Sequence, residues 1–152
     1  MQPNNSLDRR KLGSIVFSDP DQRLLLNRIL HPLIIAAQDE EMRRVALSEP
    51  HGVCIVDAAL MIESGGFRRF DTLIVVHCRD EIQLTRLIQR ESITNDEARR
   101  RIAAQMPQEE KKRYANYLID TSDGYQAARQ QTIAVFGGLK ALSATRLDAV
   151  GP

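Results

Sequence analysis

Two short runs constrain this chain more than anything else in it. Residues 53–57 read Val53, Cys54, Ile55, Val56, Asp57, and residues 72–77 read Thr72, Leu73, Ile74, Val75, Val76, His77. Both are apolar and β-branched, and neither alternates polar with apolar. A strand of that composition is covered on both faces, the setting of a parallel sheet. Tyr117, Leu118, Ile119 and Asp120 form a third, shorter run of the same kind. The stretches between the runs have helical spacing. Asp80 precedes Ile82, Leu84, Leu87 and Ile88, Thr94 to Glu97 make a capping box, and Pro107 opens a turn rich in Glu and Lys. A last helix is expected over 124–142, with a flexible tail at 143–152. Strands alternating with helices predict an α/β fold with parallel strands.

The first third holds no such run and reads as helix. Ser6 is a candidate N-cap for residues 7–17, where Leu12, Ile15 and Val16 share a stripe. Asp19 caps a second helix with Pro20 at its first position, where the missing N–H costs nothing. His31 and Pro32 are expected to end it, and a third helix follows over 32–47. A length of 152 residues is that of one domain. Lys and Arg number 21 against 20 Asp and Glu, a net charge of +1, so neither nucleic acid nor a membrane surface is held by charge alone. No apolar run approaches the roughly 20 residues that span a bilayer, and residues 1–6 lack the apolar core of a secretory signal. Cys54 and Cys78 sit inside apolar runs and are expected as buried free thiols of a reducing cytoplasm.

Several residues are candidates for chemistry. Asp57 ends a buried strand, where α/β proteins place ligands and where phosphoryl-transfer enzymes hold Mg²⁺ or its water. The same position suits an Asp that simply caps the next turn. Arg86 and Arg90 share a helix face, and Arg101 lies on the following helix. Folded over, those helices would bring guanidinium groups to one anion, which they grip through bidentate bonds. A solvated hairpin laced with charge pairs fits the same composition. His31 before Pro32 suits a boundary residue. Gly65 and Gly66 suit a phosphate nest, yet none of the 8 glycines is followed by Lys, so the 152 residues contain no phosphate loop of the GxxxxGK[ST] type. The three His and two Cys lack zinc-ligand spacing.

Read in order, six segments resemble one family. They are Leu7-Asp8-Arg9-Arg10-Lys11-Leu12-Gly13 with Ile15-Val16-Phe17; Ile29-Leu30-His31-Pro32; Val56 to Glu63; Gln83 with Arg86 and Arg90; Arg101 to Pro107 with Glu110 and Lys111; and Tyr117 to Asp120. This order is similar to the bacterial dephospho-CoA kinase family of P-loop kinases, from about Leu7 to Leu139. Ile35, Ala59, Ile62, Asn116 and Thr121 stand where the family pattern has Arg, Pro, Phe, Asp and Asn.

The resemblance implies a three-layer P-loop kinase-like parallel sheet with strand order 2-3-1-4-5 and a helical lid at about 90–114. Residues 53–57, 72–77 and 117–120 would be its strands 3, 4 and 5. The first two strands and the P-loop would then be missing from residues 1–142, a single partial domain with a slot between strands 3 and 4. The implied reaction moves the γ-phosphate of ATP, with Mg²⁺, to the ribose 3′-hydroxyl of dephospho-CoA, giving CoA in the last step of its biosynthesis. By that resemblance Asp57 lies near metal and phosphates, and no residue here ligates the metal directly. Arg90 and Arg101 belong to the lid, facing water without ATP, with Arg86 nearby. His31, Leu60 and Glu63 lie toward the acceptor. Without the phosphate loop and the base, these residues alone are expected to be inactive. The other readings are a non-catalytic nucleotide- or CoA-binding remnant, and a fragment completed by a separate P-loop polypeptide. Either leaves sheet edges open to self-association or to a complementing strand, with no nucleic-acid or membrane partner.

Overall fold

A computed structural model describes residues 7–50 and 52–150, with side chains through 145. The chain divides into two compact units, Met1–Cys54 and Ile55–Pro152.

The first unit is a helical pair. Helix α1 (Arg9–Ser18) is capped by Asp8, whose carboxylate accepts the Lys11 N–H at 3.0 Å. The expected cap Ser6 lies outside the described residues. Helix α2 (Pro20–Ser48) starts as its sequence dictates: Asp19 accepts the N–H groups of Asp21 and Gln22, and Pro20 fills the first turn. It does not stop at His31. Pro32 lies inside α2, so the expected pair of helices is one. Pro32 has no N–H for the carbonyl of Arg28, a local gap in the ladder. The Leu, Ile and Ala residues on both sides propagate the helix across it.

The second unit holds the sheet. Strands β1 (Ile74–His77) and β2 (Tyr117–Asp120) pair in parallel, from Ile74 opposite Tyr117 to His77 opposite Asp120. The crossover between them carries α3 (Asp80–Glu91), α4 (Asn95–Ala103) and α5 (Gln108–Lys112), and α6 (Tyr125–Val150) follows β2. Ile62, Val75, Ala98, Ile119 and Val135 form the buried apolar core, drawn from the sheet and from the elements packed on it. Thr94 caps α4 by accepting the Glu97 N–H at 3.3 Å, as the capping box predicts. Asn116 sets the ladder's start, its side-chain oxygen accepting the Leu73 N–H at 2.8 Å.

Three expectations fail. Residues 53–57 form no strand, because among the described residues no backbone lies alongside to complete their ladder. Cys54, in that stretch, is therefore exposed rather than buried, while Cys78 beside β1 is half-buried; both are free thiols. The expected tail from 143 is helical through Val150, since Ala and Leu recur there and no breaker precedes Gly151. A cleft of about 1030 Å³ is lined by both Asp57, Ala59 and Ile62 and by Leu73, Val75 and Val76.

Candidate active site

The carboxyl ends of β1 and β2 are tied together by arginines. The Arg79 N–H donates to the buried Ser122 hydroxyl at 2.9 Å, and the Arg79 guanidinium pairs with Asp123 at 3.1 Å. Arg86, two turns into α3, donates to the Thr121 hydroxyl at 2.9 Å and to the Thr121 carbonyl at 2.8 Å. Ser122 also anchors the strand end. Its hydroxyl and its backbone N–H, the latter at 2.8 Å, hold the Asp120 carboxyl below its ordinary range.

The helical hairpin carries the other two arginines. The Arg90 side chain is 75% exposed and pairs with Glu91 at 2.8 Å. Arg101 is only 30% exposed. It lies on α4 one turn beyond Glu97, which it contacts at 2.5 Å, with Glu91 at 3.9 Å. The expectation that both face water thus holds for Arg90 and fails for Arg101. Two carboxylates flank that guanidinium, and a charged group so flanked folds back toward them. Nor do the three arginines converge on one point: Arg86 is committed to the loop after β2.

Asp57 is exposed at the cleft, and Leu60 beside it is 38% exposed. His31 is half-buried on α2 in the first unit. Glu63 has the most developed surroundings of the expected residues. Its Oε1 accepts the Lys111 ammonium at 2.8 Å and the Met106 N–H at 3.1 Å. Burial pushes its carboxyl up, but the Lys111 bond, the backbone N–H bonds and the Lys111 charge outweigh that and hold it below its ordinary range.

Sequence reasoning missed Gln108 and gave Lys111 no role. Gln108 accepts the Cys78 N–H at 3.1 Å and donates to Asp80 at 3.0 Å and Gln83 at 2.9 Å, pinning the start of α5 to the end of β1 and the start of α3. Its one signal was its place directly after Pro107, at a helix start. Among the described residues no group of three or more His, Cys, Asp or Glu side chains is placed to hold a metal ion.

Parallel strands joined by a helical crossover, with a cleft beside them, define an α/β protein. The comparisons narrow the class. The dephospho-CoA kinase family model matches residues 1–127. A dephospho-CoA kinase domain-containing protein of Danio rerio is 37% identical over 142 residues, covering 91% of this chain and 61% of the relative. The dephospho-CoA kinase of Geobacter metallireducens is 37% identical over 134 residues, 88% of this chain and 66% of that one. A crystal structure of TT1252 from Thermus thermophilus matches with a TM-score of 0.67 at 28% identity, covering 88% of this chain and 68% of that chain. Dephospho-CoA kinase from Campylobacter jejuni matches with a TM-score of 0.62 at 28% identity, over 93% and 69%. The chain belongs to the dephospho-CoA kinase family. It spans 61% and 66% of the two curated relatives just named.

Proposed function

We propose that this chain carries the lid and the acceptor side of a dephospho-CoA kinase, which transfers the γ-phosphate of ATP to the ribose 3′-hydroxyl of dephospho-CoA. The observation that carries the reading is the family match through residue 127, which includes the cleft-lining and lid segments. Arg101, with Arg90, neutralises charge developing on the transferred phosphoryl group, a role worth roughly 10³–10⁵ in rate where an arginine is well placed. Arg86 acts one step back, holding the loop after β2. Asp57 faces the metal and phosphates, and His31, Leu60 and Glu63 belong to the acceptor side. Mg²⁺ takes few protein ligands and many phosphate and water oxygens, so an exposed carboxylate, Asp57, would fit it through the ion's water rather than as a direct ligand. When bound it neutralises phosphate charge. The free thiols suit a reducing cytoplasm. The reading extends to a three-layer kinase sheet in which β1 and β2 are neighbours and a further strand fills the cleft.

Phosphoryl transfer depends on positioning and electrostatics, and no glycine here precedes a lysine. The 152 residues with ATP, Mg²⁺ and dephospho-CoA should therefore yield no 3′-phosphorylated product. Millimolar ATP should still slow amide exchange over 92–105, and Arg101→Ala should abolish that protection. Turnover at a thousandth of a full-length relative's rate would overturn the inactivity, and exchange over 92–105 indifferent to ATP would overturn the lid.

A further inference from the structure

Lys111 lies on α5, far in sequence from the loop it meets. Its ammonium has three protons, and three acceptors surround it: Glu63 Oε1 at 2.8 Å, the Ala59 carbonyl at 3.2 Å and Gln105 Oε1 at 3.3 Å. Its side chain is 15% exposed and that of Glu63 23%, so water competes poorly for either. Glu63 in turn takes the Met106 N–H on the same oxygen. The residues so joined fall into two groups. Ala59 and Glu63 belong to the loop that begins at Asp57, and Gln105 and Met106 follow directly on α4, the helix of Arg101.

The first group needs such a tie. Residues 55–57 have no ladder, and the bonds within 58–65 are local turns: Met61 to Ala58, Ser64 to Leu60, Gly65 to Ile62. Apart from the buried Ile62, little in the loop itself fixes its distance from the sheet. The far end of the hairpin has the same need, since α4 gives way to a non-helical turn before Pro107.

We propose that Lys111 and Glu63 are positioning residues, a brace that fixes the Asp57 loop against the outgoing end of the Arg101 helix and so sets the two sides of the site at one separation. With three acceptors on its three protons and a carboxylate on its charge, Lys111 does not itself bind phosphate. The functional side of this rests on reading about 90–114 as the lid; the brace itself does not.

The test is site-resolved hydrogen exchange on the whole chain without ligand. In the wild type the hydrogen-bonded amides of Met61, Ser64, Gly65 and Met106 should be protected. Lys111→Met should speed exchange at Met106 and across 58–65 about tenfold, the worth of roughly one charge-assisted hydrogen bond, while β1 and β2 amides stay within twofold. Glu63→Gln, which keeps shape and fold, should do the same at smaller amplitude. The double variant should be no worse than the larger single, because the two act as one unit. Lys111→Arg should restore at least half of the protection. Unchanged exchange in 58–65, an additive double variant, failed rescue by arginine, or acceleration spread equally over β1 and β2 would each overturn the brace. ATP-dependent protection of 92–105 is read separately in the same samples, so loss of the nucleotide reading leaves this result standing.

Discussion

Glu63 illustrates how one side chain links charge to stability. Its folded carboxyl titrates below the ordinary value of 4.5, so the ionised form is favoured by folding. That contribution is fully present above pH 4.5 and is lost as pH falls through the depressed folded value. Unfolding free energies from urea titrations of the wild type should fall over that interval by more than those of Glu63→Gln, by about 1 kcal/mol. Parallel curves would show that the pair contributes nothing. By contrast Arg90→Ala should leave stability within about 0.5 kcal/mol, because its exposed neighbour pair is screened by water. The substitutions relative to the family pattern have local jobs too: Asn116 opens the ladder and Thr121 receives Arg86.

Among the elements, caps and strands with partners were legible in the sequence. Asp19 with Pro20, Thr94 with Glu97, and the run 117–120 all appear where local chemistry puts them. What was not legible depended on groups far away. The run 53–57 has the composition of a buried strand, yet composition cannot supply the neighbouring backbone that makes a strand. Pro32 reads as a stop, yet one missing hydrogen bond is outweighed by long apolar flanks. The arginines were legible as candidates, and Glu97 one turn before Arg101 is a local pair, but Thr121 for Arg86 and Glu91 for Arg101 are set by the crossover. Thr94→Ala should cost about 1 kcal/mol and loosen α4 selectively, seen as faster exchange over 95–103 with β1 and β2 unaffected. Pro32→Ala should restore a bond to the Arg28 carbonyl and raise helicity by circular dichroism, stabilising α2 by about 1–3 kcal/mol. A loss of helicity would mean that the proline relieves a strain which alanine cannot.

For the molecule as a whole, apolar surface outruns the core. Five apolar residues are buried among those described, whereas Leu33, Ile55 and Val76 are each more than 60% exposed and many others approach half. Burying a side chain of that size is worth about 1.5–3 kcal/mol, and a domain's whole margin is about 5–15 kcal/mol. The 152 residues alone should therefore melt broadly and run as associated species on sizing chromatography, with β1 offering an apolar edge to other chains. A sharp transition from a monomer would show that the exposed faces are covered by some rearrangement.

One contact bears on which way such association would proceed. Backbone bonds from Tyr117 and Thr121 reach Leu73 and His77, so the intervening even-numbered residues of β2 turn their amide groups away from β1. On that outer side, Gln131 of α6 uses its carboxamide as a stand-in for a peptide unit: its oxygen accepts the Asp120 N–H at 2.9 Å and its nitrogen donates to the Asp120 carbonyl at 2.9 Å. The sheet thereby has a polarity, open at β1 and plugged near the end of β2. A strand recruited at β1 can extend it, but the recruited molecule presents the same plug on its far side. Association through β1 is therefore expected to end in closed pairs joined through two β1 edges, read as a discrete dimer rather than a continuous size distribution on sizing chromatography.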